Sequence, residues 1–237
     1  MTSFSGAFLK HFAIFTMVVD HIGAVLFPDM LFFRCIGRLS FIIFCFLLAE
    51  GAVYTRNRPK YALRLLLLAL LSMIPFSYAR FGVWLSFDAL NVFFVLSSSV
   101  MMLSLFDLCK NKPFEYLYKF LIVIVFGIVG HLVCFEYSFY GYALVACFYQ
   151  FRGNNVAIGC ATTAVTLVAL PLFKIFVESQ SVETTLNFSV FESIGLISLV
   201  FIFSYNGERG KQLPKWFYYL FYPVHLTILD IIKDFIF

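Results

Sequence analysis

The sequence predicts an all-α fold, a polytopic bundle of about nine transmembrane helices with the N-terminus cytoplasmic. Three observations predict it. Hydrophobic residues make up 62% of the chain and mean hydropathy is +0.93. Only 13% of residues are charged, about half the share of a soluble domain, so a water-facing exterior of this size has too little to cover it. Apolar runs long enough to span a bilayer alternate with short polar punctuation along all 237 residues. That leaves a single membrane domain over 1–237 and no room for a soluble one. The net charge of +4 lies in short loops rather than on one basic face, which argues against nucleic acid as a partner.

The elements follow in order. Span one, 7–27, holds Asp20 and His21 at depth, lacks a small-x-small cleavage site and is too long for a cleavable signal peptide, so it is expected to stay in the mature protein. Span two, 32–54, carries Arg34, Arg38 and Glu50, and span three, 61–79, carries Arg64. Segment 76–87 mixes Tyr78 and Trp84 with Arg80 and reads as interfacial. Span four, 88–107, opens with Asp88 as a helix N-cap and has Asn91 one turn deeper, where it lines a cavity. Span five, 118–136, places Gly127 and Gly130 beside His131, a spacing suited to close helix packing. Span six, 138–152, is short and has Gly141 near its start, so it is tilted or broken. Spans seven and eight cover 155–177 and 187–204. Span nine, 215–236, begins with the aromatic anchor Trp216, Tyr218 and Tyr219. The six cysteines show no C-x-x-C spacing and read as small buried hydrophobes.

Lys and Arg set the orientation. Arg56, Arg58 and Lys60 follow span two; Lys110, Lys112 and Lys119 follow span four; Arg152 follows span six; Arg209, Lys211 and Lys215 follow span eight. The alternate loops are poor in positive charge, Arg80 excepted. The first set is therefore cytoplasmic and His11 lies at the inner interface.

An ionisable side chain near the bilayer centre costs about 2.5–3.5 kcal/mol on the insertion scale, so those that persist are candidates for function. His21 and Arg38 lie at similar distances from the turn near Met30, and His225 lies near the middle of span nine. Arg34 and Arg38 are four apart and share a face. Asp20 and His21 are adjacent, point about 100° apart and cannot both face one partner. The simplest arrangement has Arg38 neutralising Asp20 and His21 facing a polar cavity. A buried ionic staple, and a plain hydrogen bond between His21 and His225, are the structural alternatives. A second cluster lies at the inner rim: Glu50, Arg56, Asn57, Tyr61 and Arg64 around one loop, and Tyr205 to Gly210, with Asn206, Glu208 and Arg209, in another. Such loops cradle a phosphorylated ligand through Arg forks and backbone N–H groups. The topology signal alone explains Arg58, Lys60 and the 110–119 loop. There is no Ser-His-Asp order, H-E-x-x-H or Walker loop, and no metal-ligand spacing.

Together these stretches resemble the TraX family, the pilin acetylases of conjugation systems and their bacterial relatives. The resemblance is carried by Asp20-His21-Ile22-Gly23, Gly37-Arg38-Leu39-Ser40-Phe41, Ala49-Glu50-Gly51, Thr55-Arg56-Asn57, Tyr61 with Arg64, Asn91-Val92-Phe93-Phe94, Tyr140-Gly141, Tyr205-Asn206-Gly207-Glu208-Arg209-Gly210 and Phe221-Tyr222-Pro223-Val224-His225, in order along the chain. Ile42 departs from it, standing where the family commonly has proline. The resemblance implies an inner-membrane enzyme that transfers an acetyl group from acetyl-CoA to an acceptor, which in the founding member is the N-terminal amine of pilin. Here the acceptor is open: a peptide N-terminus, a glycan or a lipid. The family is also similar to the longer multispan acyltransferases of surface polysaccharides, in which an intramembrane His is essential. On that reading His21, with His225 as its competitor, is the general base; Asp20 or Arg38 orients it or stabilises the oxyanion; the rim residues hold acetyl-CoA; and Arg34, Asn91, Tyr140 and Tyr222 line the substrate cavity. The rivals are a small-solute transporter, in which the same His, Asp and Arg form a substrate site or proton relay, and a membrane scaffold, which leaves the buried His and Arg unexplained.

Overall fold

Ser5 starts the first helix. Its Oγ accepts the amide of Phe8 at 3.3 Å, satisfying one of the N–H groups that every helix start leaves free. The computed structural model describes residues 3–236, which are helical with no strand among the described residues and two isolated bridges, Phe4 to Tyr205 and Leu90 to Phe135. The helices are α1 (Gly6–Leu26), α2 (Leu31–Tyr54), α3 (Arg58–Leu71), α4 (Met73–Phe81), α5 (Val92–Cys109), α6 (Glu115–Leu132), α7 (Ser138–Gln150), α8 (Asn155–Ala164), α9 (Leu170–Phe176), α10 (Val182–Ser193), α11 (Ser198–Phe203) and α12 (Lys215–Ile236). A π turn over Val165–Ala169 joins α8 to α9, and a 3-10 turn over Ile194–Ile197 joins α10 to α11.

Helices occupy all nine runs read from the sequence. Six of them are long and apolar enough to cross a membrane: α1, α2, α5, α6, the α8–α9 pair and the α10–α11 pair. The predicted third span is not continuous, because α3 and α4 meet at a 46° bend beside Ser72 and make a seventh crossing only if taken together. The sixth run forms α7, whose 13 residues reach only about 20 Å, short of the roughly 30 Å hydrocarbon core. In the ninth, α12 is 22 residues long, but Lys215, His225, Asp230, Lys233 and Asp234 dilute its apolar character. The fourth run also begins later than expected. Asn91, not Asp88, caps α5: its Oδ1 accepts the Phe93 amide at 3.1 Å while Nδ2 donates to the Ala69 carbonyl at 2.8 Å.

The chain divides into two compact units. The first comprises the chain through Leu47, Leu70–Phe87 and the chain from Ile194 on. In it α12 packs on α4 and α1, and buried Leu9, Ala13 and Met17 of α1, Ile42 and Ile43 of α2 and Leu226 and Leu229 of α12 form the core. The second comprises Leu48–Ala69 and Asp88–Ser193. There α6 and α7 pack closely because α6 offers glycine: a Cβ at Gly127 would sit 2.9 Å from the Phe139 ring, and one at Gly130 3.0 Å from Tyr142. This is the close packing that the Gly127–Gly130 spacing predicts.

Candidate active site

Within the first unit, α1, α2 and α12 bring the intramembrane charges and rings together. Asp20 faces α2, where a Cβ at Gly37 would fall on its carboxylate; only glycine lets the two helices approach there. The carboxylate receives Arg34 through Nη1 and Arg38 through Nη2, the latter at 3.1 Å. Arg34 also donates to the Asp20 carbonyl at 3.4 Å, and Arg38 Nε to the Arg34 carbonyl at 3.3 Å. Both Asp20 and Arg38 are buried. The expected Asp20–Arg38 pair is therefore present, and Arg34 joins it as a third member rather than standing apart in a cavity. Two guanidiniums against one carboxylate leave a net positive charge beside His21.

His21, about 100° around α1 from Asp20, meets α12 instead. Its Nδ1 lies 2.6 Å from Nε2 of His225, and Nδ1 of His225 lies 2.8 Å from the Phe221 carbonyl. A carbonyl only accepts, so Nδ1 of His225 carries hydrogen. In the neutral ring its Nε2 is then an acceptor, and His21 must donate from Nδ1. Nε2 of His21 is left with a lone pair, and among the described residues no hydrogen bond reaches it. The two imidazoles stack at 4.9 Å, and Tyr222 sets its ring edgewise to both, at 5.6 Å from His21 and 5.4 Å from His225. The family resemblance implies that Asp20 or Arg38 orients His21 or stabilises the oxyanion. Asp20 is instead occupied by the arginines, and the ring that fixes His21 is His225. His11, read as lying at the inner interface, bonds Tyr218 Oη at 2.9 Å.

The 204–210 loop belongs to the same unit, and its backbone caps α1. Gly6 N donates to the Glu208 carbonyl at 2.8 Å, Ala7 N to Arg209 at 2.9 Å, and Asn206 N to Phe4 at 3.0 Å. The Glu208 amide is held by Asn206 Oδ1 at 2.9 Å. The amides of Asn206 and Glu208 are thus already used, and the side chains of Asn206, Glu208 and Arg209 are exposed.

The remaining candidates lie in the second unit. Glu50 takes Arg152 in a two-pronged pair, Nε at 2.5 Å and Nη2 at 3.2 Å, and Arg152 also donates to Tyr54 Oη at 2.7 Å. Asn57 caps α3, its Oδ1 accepting the Lys60 amide at 2.9 Å. Tyr61 packs against Gly51, where a Cβ would sit 3.2 Å from its hydroxyl. Arg56 and Arg64 are exposed. Tyr140 is buried, with Oη 3.1 Å from Thr166 in the π turn, and Asn91 is committed to its cap. Arg58, which sequence reading left as a topology signal, is a structural knot: it bonds the Ala52 and Leu103 carbonyls at 3.1 and 2.9 Å, Asp107 at 2.5 Å and Tyr149 Oη at 2.9 Å. The hydrogen bond from Lys110 to Asp107 holds the Lys110 ammonium above its ordinary pKa. Among the described residues no group of His, Cys, Asp and Glu is arranged to hold a metal ion.

A model of the TraX family, described as TraX protein, matches residues 5–233. The chain is 25% identical over 252 residues to the probable fimbrial assembly protein FimC, serogroup H1, of Dichelobacter nodosus, covering 98% of this chain and 97% of that protein. It is 45% identical over 38 residues to an uncharacterized protein of Rickettsia prowazekii, 16% of this chain and 15% of that one. No solved structure matches it.

Proposed function

The chain belongs to the TraX family, and from that premise we propose that it is an integral membrane acetyltransferase, moving an acetyl group from cytoplasmic acetyl-CoA to an amine or hydroxyl reached from the outer side. Its nine helical runs sit in the inner membrane with the N-terminus cytoplasmic, and the basic loops after runs two, four, six and eight face the donor. The similarity to a protein named for fimbrial assembly supports an acceptor that is a surface-appendage subunit, offered by its N-terminus; glycan or lipid hydroxyls are the other acceptors of suitable chemistry.

One observation carries the reading: the Phe221–His225–His21 chain of hydrogen bonds, which ends in a lone pair on Nε2 of His21. The acceptor nitrogen or oxygen attacks the thioester carbonyl carbon and forms the new bond while Nε2 of His21 takes its proton. His225 steadies the imidazolium by continuing to accept from Nδ1. The net positive charge of Asp20, Arg34 and Arg38 next to the ring favours the negative oxygen of the tetrahedral intermediate. Its collapse breaks the carbon–sulfur bond, and the proton passes from His21 to the CoA thiolate. Each unit by itself offers side-chain forks of the kind that bind a phosphate of CoA: exposed Arg56 and Arg64 in the second, with Glu50, Asn57 and Tyr61 shaping their loop, and exposed Arg209 in the first, with Asn206 and Glu208.

The test is transfer from radiolabelled acetyl-CoA by the purified protein. His21→Ala should lower turnover by about 10²–10⁴-fold with acetyl-CoA binding and folded yield retained, and His225→Ala should lose less. Near-native turnover in His21→Ala beside a folded but inactive His225→Ala moves the base to His225. A wild-type protein that binds no acetyl-CoA saturably is no acyltransferase, and the His, Arg and Asp cluster then fits a solute transporter.

A further inference from the structure

The groove between α5 and α6 takes no part in the chemistry above. It encloses about 430 Å³ and lies wholly in the second unit. Leu105 and Cys109 of α5, four apart, line one wall, and Tyr118, Leu121, Ile122, Val125 and Phe126 of α6 line the other. On α6 these residues keep the spacing of a single helix face. Gly127 and Gly130 belong to a different face, the one closed against Phe139 and Tyr142 of α7. Leu105, Leu121 and Val125 are exposed, so the groove opens sideways. Both helices are long and apolar enough to cross a membrane, and the opening then faces acyl chains rather than water.

Lys112 also lines the groove, and its charge is unspent. The sequence reading takes the 110–119 loop as a topology signal, which explains its lysines but not why one of them is left unpaired. Lys110 is held by Asp107 at 2.7 Å, and Lys119 by Glu115. The two carboxylates are likewise occupied, Asp107 by Arg58, Lys110 and Tyr149, and Glu115 by Lys119 and, at 3.0 Å, by the Asn111 amide. Lys112 Nζ and Tyr118 Oη have no partner among the described residues. Phe114, Tyr116 and Tyr118 are exposed at the start of α6, a cluster of rings of the kind that settles at headgroup level. From Tyr118 to Phe126 the groove runs about 12 Å along α6, within the roughly 15 Å of hydrocarbon in one leaflet.

We propose that this groove binds an anionic glycerophospholipid, with one acyl chain between α5 and α6 and the headgroup phosphate on Lys112 and Tyr118. The walls and the lysine together specify that ligand. A free phosphate would use Lys112 and leave the apolar walls idle. A zwitterionic lipid would fill the walls, but its own cation offsets its phosphate, whereas a lipid of net negative charge brings an anion that the unpaired ammonium completes. The site is independent of the acetyl-transfer reading and stands equally in an enzyme or a transporter.

The test is native mass spectrometry of the full-length protein titrated with dioleoylphosphatidylglycerol or dioleoylphosphatidylcholine, which share acyl chains and differ in headgroup charge. The wild type should bind the anionic lipid about 5- to 10-fold more tightly, and Lys112→Gln should remove that preference, the weight of one basic residue at a membrane surface. Tyr118→Phe should weaken the anionic lipid by about 2- to 5-fold, as one hydrogen bond lost. Lys60→Gln, which removes the same charge from an exposed lysine of another loop, should leave the preference intact. Equal binding of the two lipids by the wild type overturns the proposal. So does an equal loss in Lys60→Gln and Lys112→Gln, which would make the preference a diffuse field. Glycerol 3-phosphate in millimolar excess should not displace the lipid; displacement would mean a headgroup site without the groove and would also overturn it. A second readout locates the chain: phosphatidylglycerol with a diazirine midway along one acyl chain is photolysed in vesicles holding the protein. Adducts concentrated on Leu121, Ile122 and Val125 support the site, and adducts spread evenly over the other helices contradict it.

Discussion

In the first unit Asp20 meets Arg34 and Arg38; in the second Asp107 meets Arg58, Lys110 and Tyr149. The residue types are nearly the same, but their places in the helices differ. Arg58 is the first residue of α3, and Asp107 and Tyr149 are close to the last residues of α5 and α7. Charges there reach the membrane surface at little expense, and every polar atom goes into tying three helix ends. Asp20 is well inside α1, and Arg38 well inside α2, where each charge costs about 2.5–3.5 kcal/mol to insert. Beside that cluster, and not beside the other, stands a ring nitrogen with an unused lone pair. What singles out the first cluster as the proposed site is its depth and its spare bonding capacity, not the kinds of residue that form it.

The contrast can be broken by substitution. The largest effect on stability should come from Asp20→Ala, which leaves two buried guanidiniums without their counter-ion and should destabilise by about 3–5 kcal/mol, read as a fall in folded yield and in the thermal midpoint. Next, Arg56→Ala should weaken acetyl-CoA binding by about 1.5–3 kcal/mol with the midpoint unmoved; equal affinity would reduce that loop to a topology signal. Gly37→Ala puts a methyl group on the Asp20 carboxylate and should cost about 1–3 kcal/mol as overpacking, together with turnover, since α2 cannot then hold both arginines in place. The smallest effect belongs to the second cluster. Asp107→Ala, partly exposed and at a helix end, should destabilise by about 1–2 kcal/mol and leave kcat for acetyl transfer unchanged. A loss of turnover in that variant beyond its loss of folded protein would erase the distinction between clamp and site.

Much of this was legible from spacing. Apolar runs place the helices, similar distances of His21 and Arg38 from the Met30 turn put Arg38 level with the Asp20–His21 pair, and the depths of His21 and His225 make them candidates for one another. What spacing lacks is the identity of closing partners far along the chain. Glu50 and Arg152 are 102 residues apart, and nothing local to either announces the pair. Arg34 shares a face with Arg38, yet only the glycine at position 37 lets both reach one carboxylate. Asp88 and Asn91 are both good caps, and the choice fell to Asn91 because its amide also satisfies the Ala69 carbonyl. The bend at Ser72 and the π turn at Val165–Ala169 leave no mark in hydropathy, because the residues around them remain apolar.

The central claim is that the imidazole pair leaves Nε2 of His21 bare. The most direct measurement is 15N NMR of protein labelled at the histidine ring nitrogens, with His21 and His225 assigned through single Gln variants. With both rings neutral, hydrogen should be found on Nδ1 of each, with His225 Nε2 shifted by the bond it accepts and His21 Nε2 showing an unprotonated nitrogen. A His21 ring that carries its hydrogen on Nε2 would contradict the claim, because no lone pair would then be available to the acceptor.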